Sequence, residues 1–122
     1  MSTPEETVVS YFSRLNGSDA DGLSALFTED GDLMGNGVPT ANGKEAIRSF
    51  AKAAFEGATH HHEYEIDRVE RDDGLAVVQT HSLGTVTPKA GGESSSSTHR
   101  SVFVLRRAGD TWLIAQYMYN SV

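Results

Sequence analysis

Hydrophobic spacing divides the chain into a helical first half and a strand-forming second half. Across residues 8–15 and again across 46–55, apolar side chains recur every three to four positions, which is typical of amphipathic helices. A shorter segment at 23–27 follows the same spacing. From His62 onwards apolar and polar residues alternate, as they do in strands that bury one face. The pattern predicts three short helices followed by four long strands.

Capping residues indicate where the helices begin. Thr3 can cap the first helix, and Glu6, three positions later, completes a capping box. Ser18 and Asp21 repeat this arrangement for the second helix. The third helix is predicted to begin near Asn42, after a loop rich in Gly and Asn.

Turn residues separate the predicted strands. Asp72–Gly74 and Gly109–Asp110 each predict a tight turn, whereas the Gly- and Ser-rich stretch Pro88–Ser96 predicts a longer, flexible hairpin loop. A brief extended piece precedes the loop Gly35–Gly43. The predicted extended segments are 32–34, a strand through His62 that ends at the first turn, 75–87, 98–107 and 111–120.

Neither half of the chain can bury its apolar surface alone. The helices would expose an apolar stripe, and the antiparallel sheet would expose an apolar face. A sheet that curls around the helices covers both and leaves a pocket between them. We therefore predict an α+β fold in one domain over residues 1–122: a cone-shaped barrel of curved antiparallel sheet wrapped around three N-terminal helices, with a central pocket.

Strand pairing across the two tight turns predicts which side chains face this pocket. Tyr64 should lie opposite His81, and Phe103 should share a face with Ile114. With neighbouring helix and loop residues, the predicted pocket wall consists of Leu15, Leu33, Asn36, Phe50, His62, Gln79, Leu83, His99, Ser101, Phe103, Ile114, Gln116 and Met118.

The opposite face of the last two strands is also apolar. It should carry Val102, Val104, Leu113, Ala115, Tyr117 and Tyr119. A sheet face that is open to water normally carries polar residues at such positions. We therefore expect a homodimer formed through the outer face of the sheet.

Composition narrows the range of partners. The formal net charge is −7 and the Lys and Arg residues are scattered, so neither nucleic acid nor an anionic membrane surface is an expected partner. The chain has no Cys, which excludes disulfides and thiolate chemistry. Neither a signal peptide nor a membrane-spanning stretch is visible, so a cytoplasmic location is expected.

Three segments resemble the nuclear-transport-factor-2-like superfamily, which includes SnoaL-like polyketide cyclases, ketosteroid isomerases, epoxide hydrolases, dehydratases and proteins that only bind. The segments are 15–30, with Leu-Asn-Gly-Ser-Asp and Ala-Leu-Phe, then Gly43–Arg48, and the final hairpin at Gly109–Ile114. The resemblance implies the α+β cone with its small-molecule cavity. It also implies that Tyr11 matches the oxyanion-hole tyrosine of the steroid isomerases, whereas Gly35 and Ser101 stand at or near the places of their two aspartates. SnoaL-like cyclases are the nearest functional neighbourhood.

Three residues are candidates for catalysis. His81, predicted mid-strand on the pocket wall, can transfer a proton near neutral pH, and Tyr11 and Tyr64 can donate hydrogen bonds to a developing oxyanion. The alternative is a structural role in which His81 and Tyr64 satisfy each other across the strand pair. His99 is expected to face inward, but too far along its strand from His81 to form a pair with it.

The run His60–His62 raises the question of a metal site. Consecutive strand residues alternate faces, so only His60 and His62 can chelate together, and no carboxylate joins them. We expect no metal and no cofactor.

The sequence thus predicts a protein that binds a small, largely apolar, polyketide-like or steroid-like molecule. Two interpretations stay open. The protein either catalyses cofactor-free acid–base cyclisation, isomerisation or dehydration, or it binds or sequesters its ligand without catalysis.

Overall fold

The computed structural model describes residues 2–122, and its helices and strands follow the predicted order. The helices are α1 (Pro4–Asn16), α2 (Ala20–Ser24) and α3 (Lys44–Gly57). The strands are β1 (Phe27–Met34), β2 (Ala41–Asn42), β3 (Ala58–Arg71), β4 (Leu75–Pro88), β5 (Ser95–Ala108) and β6 (Thr111–Ser121).

All six strands form one open, curved sheet in the order β2-β1-β6-β5-β4-β3. The four long strands form antiparallel hairpins, while β1 runs parallel to β6. The helices lie against the concave face, and α1 contacts β3, β4 and β6. The predicted α+β class and cone shape are therefore confirmed, with one parallel strand pair that the sequence pattern does not predict.

Apolar side chains from the helices and the concave sheet face form a continuous core. Fully buried members include Val8, Phe12, Leu23, Phe27, Ile47, Val78, Phe103, Leu105 and Ile114. A buried hydrogen bond, in which the Thr7 hydroxyl donates to the Trp112 carbonyl at 2.8 Å, joins α1 to the last strand. No helix of residues 2–122 is long and apolar enough to cross a lipid bilayer.

Three predicted features differ from the structure, the first being the loop Gly35–Gly43, which contains the short strand β2 paired with β1. The N-cap of α2 is Asp19, whose side chain accepts a hydrogen bond from the backbone of Gly22, and Ser18 instead occupies the turn with φ 54°. Phe27 begins a strand and does not extend the second helix, because β1 pairs with β6 from Phe27 to Met34.

A β-bulge at Asp67 changes the register of the β3–β4 hairpin. On the turn side of the bulge Val69 pairs with Val78, whereas beyond it Ile66 pairs with Thr80. A bulge adds one residue to one strand only, so the pairing beyond it moves by one residue. Because side chains alternate faces, each residue beyond the bulge then shares a face with the other set of side chains on the neighbouring strand. The predicted opposition of Tyr64 and His81 is consequently wrong by one residue: Tyr64 lies opposite Ser82.

A second bulge, at Ala115, has the same effect in the last hairpin. The two-residue turn is as predicted and Leu105 pairs with Ile114, but Val104 pairs with Gln116 and Phe103 with Tyr117. Residues of β6 beyond the bulge therefore exchange faces.

The two bulges move five predicted wall residues to the convex, outer face of the sheet. These are Gln79, His81 and Leu83 on β4, and Gln116 and Met118 on β6, all of which are exposed. In the opposite direction, Tyr117 and Tyr119 leave the predicted outer face and line the concave side.

Candidate functional site

A cavity of about 230 Å³ lies between the helices and the concave sheet face. Its walls are formed by Tyr11, Leu15, Leu23, Leu33, Phe50, Ala51, Ala54, Phe55, His60, His62, Ser82, Val86, Ser97, His99, Tyr117 and Tyr119. Drug-sized ligands commonly occupy pockets of about 300–1,000 Å³, so this cavity suits a smaller molecule.

The helices supply the apolar part of the wall. Helix α3 begins at Lys44 and presents Phe50, Ala51, Ala54 and Phe55 at helical spacing, because its buried residues recur on one side. Two of these four are Ala, whose short side chains leave space that a larger residue would fill.

His62 is held in the cavity from three sides. The side chain of Asn16, at the end of α1, accepts a hydrogen bond from the His62 backbone N–H at 2.7 Å and donates to its carbonyl at 3.1 Å. The ring lies across Gly84 of the neighbouring strand, where a Cβ would stand only 2.6 Å from the imidazole Cε1. The Oγ of Ser82 lies 3.4 Å from Nδ1.

The environment keeps His62 neutral. Burial, followed by the nearby rings of His99, His60 and His61, lowers the pKa of His62 to about 4. Burial also lowers the pKa of His99, whose ring centroid lies 6.0 Å from that of His62. The cavity thus contains two neighbouring imidazoles that act as proton acceptors at neutral pH.

Three tyrosines, Tyr11, Tyr117 and Tyr119, also line the cavity. The ring centroids of Tyr11 and Tyr117 are 4.7 Å apart, and the Tyr119 ring meets His99 edge-on at 5.7 Å. Burial raises the pKa of all three phenols, so they remain protonated hydrogen-bond donors. The close approach of Gly35, where a Cβ would lie 2.8 Å from the Tyr119 hydroxyl, brings the following loop against this residue.

Among residues 2–122, no Asp, Glu, Lys or Arg lines the cavity. No three His, Asp or Glu side chains in this part of the chain are arranged to hold a metal ion. The side chains present can accept a proton at His62 or His99 and donate hydrogen bonds from tyrosine to an oxygen.

Six of the predicted residues reach the cavity wall: Tyr11, Leu15, Leu33, Phe50, His62 and His99. Phe103 and Ile114 lie behind it in the core, and Ser101 is buried beside Thr80, to which it is hydrogen-bonded. Tyr64 stacks on Phe12 with 4.1 Å between ring centroids and does not line the cavity.

His81, the predicted proton-transfer residue, lies outside the cavity. Its side chain is 55% exposed on the convex face, where Nδ1 donates to both carboxylate oxygens of Asp67 at 2.7 and 2.9 Å. This hydrogen bond, with the charge of Asp67, raises the pKa of His81. Gln79, Leu83, Gln116 and Met118 share the convex face, and Asn36 lies in the loop after β1, away from the wall.

The sequence pattern did not assign five polar wall residues to the pocket: His60, Ser82, Ser97, Tyr117 and Tyr119. Ser82, Tyr117 and Tyr119 face inward because of the two bulges, and Ser97 follows from the pairing of β4 with β5, in which it lies opposite Gly84. The only sequence signal was the triple histidine, whose first and third members both line the cavity.

Comparisons with known proteins agree with this architecture. Residues 8–114 match the SnoaL-like domain family. A search of curated protein sequences gives no match.

Solved structures give closer geometric comparisons. A ketosteroid isomerase-like protein from Erwinia carotovora atroseptica SCRI1043 is 30% identical, with a TM-score of 0.89 over 97% of this chain and 92% of its own. Two proteins from Novosphingobium aromaticivorans share the fold at lower identity. One is an NTF2-like protein with a cystatin-like fold (22% identical, TM-score 0.80, 96% of this chain and 78% of its own). The other is a candidate scytalone dehydratase (15% identical, TM-score 0.87, 97% and 80%). The chain belongs to the SnoaL-like domain family and has the NTF2-like, cystatin-like α+β fold.

Proposed function

We propose that the protein binds a small, largely apolar organic molecule in its cavity and catalyses cofactor-free proton transfer on it. The observation that carries this proposal is His62, a neutral imidazole that lines the cavity beside Ser82 and His99, with a pKa lowered to about 4. A base that stays unprotonated at neutral pH and is partly withdrawn from solvent can abstract a proton next to a carbonyl.

The proposed reaction begins with proton abstraction by His62. His62 takes the proton from the carbon, and the electron pair of the C–H bond moves onto the carbonyl oxygen, where a tyrosine such as Tyr11 donates a hydrogen bond. Return of the proton to another carbon is isomerisation, and its delivery to a departing hydroxyl is dehydration. The name of the scytalone dehydratase relative is compatible with the second outcome but is carried by a protein only 15% identical.

The volume of the cavity limits the size of the ligand. A volume of about 230 Å³ lies below the range of about 300–1,000 Å³ that drug-sized ligands commonly occupy. A molecule of one or two rings fits this space better than a four-ring steroid, so we favour the smaller end of the polyketide-like class.

Hydrogen–deuterium exchange tests the proposal without knowledge of the natural substrate. With 2-tetralone as probe in D2O, wild-type protein should accelerate exchange at the carbons next to the carbonyl, followed by NMR. His62→Gln should slow this exchange by about 10²–10⁴-fold. His61→Gln, on the adjacent exposed position of the same strand, is the matched control and should behave as wild type.

The alternative is a binding protein without catalysis. It predicts that 2-tetralone raises the melting temperature but exchanges no faster than in buffer. Absence of binding by this probe and by other one- and two-ring ketones would contradict both versions.

We also propose that the protein forms a homodimer through the convex sheet face, although two of the residues first assigned to that face line the cavity instead. Val102, and with it Leu83 and Met118 that were predicted for the pocket wall, are exposed there at 36%, 44% and 50%. They flank a polar row in which Glu65, His81, Arg100 and Asn120 lie opposite one another.

This row favours a second copy of the chain as the partner. Glu65 lies at one end of this row on β3, and Arg100 lies on β5. In a dimer with two-fold symmetry, Glu65 of each copy can therefore lie against Arg100 of the other copy. Sedimentation should show a dimer at tens of micromolar, roughly the range where a standard-sized interface holds. Val102→Asp should give a folded monomer, and a wild-type monomer at that concentration would refute the proposal.

A further inference from the structure

Two histidines of the cavity wall each have one ring nitrogen that is buried without a partner. Nε2 of His60 and Nδ1 of His99 are closed to solvent, and no atom of residues 2–122 forms a hydrogen bond with either. Buried polar groups in native proteins are nearly always paired, because an unpaired one has lost its water without replacement. Both side chains line the cavity through other ring atoms, so a rotation of either ring would bring its unpaired nitrogen to a molecule bound there.

The pairing of His99 indicates what kind of group fits. Its Nε2 lies 3.3 Å from Oγ of Ser97. If Nε2 donates to this hydroxyl, Nδ1 is a bare acceptor, and if Ser97 donates to Nε2, Nδ1 carries the proton. A ligand hydroxyl can both donate and accept, so it satisfies either tautomer, whereas an ether or carbonyl oxygen satisfies only the second.

The absence of positive charge on the described cavity wall excludes anionic ligands. The part of the chain described places no Arg or Lys on the cavity wall. Burial lowers the pKa of both His62 and His99, so neither ring supplies a positive charge at neutral pH. A carboxylate or phosphate entering the cavity would lose its hydration without gaining a counterion.

From the two unpaired nitrogens and the uncharged wall, we infer that His60 and His99 form a hydroxyl-binding subsite, which selects uncharged ring compounds bearing alcohol or phenol groups. This inference rests on the proposed function for the cavity itself and adds the substrate class. His60 and His99 are specificity residues in this scheme, distinct from His62 as the base.

Three two-ring probes of similar size test the inference: 2-naphthol, 2-methylnaphthalene and 2-naphthoate, measured by calorimetry at pH 7.5. The wild-type preference for naphthol over methylnaphthalene should be reduced about 5–10-fold by His99→Phe, as expected for one neutral hydrogen bond. His60→Phe should act in the same direction. His61→Phe, on the exposed face of β3, is the matched control and should leave the preference unchanged.

The results distinguish a failure of the hydroxyl subsite from a failure of the proposed function. Equal ratios in wild type, His99→Phe and His60→Phe would overturn the hydroxyl subsite while leaving cavity binding intact. Binding of 2-naphthoate as tight as that of 2-naphthol would overturn the uncharged ligand class. If none of the three probes binds, the proposed function fails as well. Circular dichroism melting of each variant verifies that it is folded.

Discussion

The buried neutral state of His62 should make the protein less stable in mild acid. In the unfolded chain this imidazole takes up a proton near its ordinary pKa of 6.5, whereas in the folded protein its pKa is about 4. Between these values the unfolded state binds more protons, so the free energy of unfolding falls as the pH falls from 6.5 towards 4. His62→Gln removes the titrating group and with it this part of the pH dependence.

The magnitude follows from the two pKa values. Taken in full, a change from 6.5 to about 4 lowers the free energy of unfolding by about 2 kcal/mol between pH 7 and pH 5. The His62 side chain is only partly buried, so solvent screening reduces this figure, and we expect about 1 kcal/mol.

Urea unfolding followed by Trp fluorescence measures this difference. Trp112 is the single tryptophan of the chain and is 2% exposed in the folded state, so unfolding changes its surroundings completely. The wild type should lose about 1 kcal/mol more than His62→Gln between pH 7 and pH 5. His61→Gln, at an exposed site whose ring makes the smallest of the contributions that lower the pKa of His62, should lose nearly as much as the wild type. Equal losses in the wild type and His62→Gln would refute the assignment of a buried neutral imidazole.

Two further substitutions test the geometry around the cavity. Gly84→Ala should cost about 1–3 kcal/mol of stability and slow 2-tetralone exchange, because the new Cβ displaces the His62 ring; Gly57→Ala, at a position with no neighbouring atom within 4 Å, is its control. His81→Ala should leave ligand binding and exchange unchanged, since this side chain pairs with Asp67 on the convex face. Loss of exchange in His81→Ala would contradict the strand register and return His81 to the site.

Local patterns in the sequence were sufficient for the three helices and the four long strands. The N-cap at Thr3, the helical spacing in α1 and α3, and the Gly109–Asp110 turn depend on neighbours within a few residues, and the structure contains each of them. Of the predicted capping box, the structure shows the hydrogen bond from the Glu6 backbone N–H to the Thr3 hydroxyl. The need to bury an apolar helix face against an apolar sheet face then determined the α+β cone. The first and third members of the triple histidine also share one strand face for a local reason, the two-residue period of an extended chain.

The polar composition of the cavity was decided by tertiary structure. Each β-bulge is one unpaired residue, Asp67 or Ala115, and its position depends on how two strands fit together across the curved sheet. Because side chains alternate faces, a single extra residue exchanges the inner and outer sets beyond it. That exchange placed His81 outside and Ser82 and Tyr117 inside. Alternation along one strand is encoded in its own residues, but the pairing that relates one strand to the next exists only in the folded sheet.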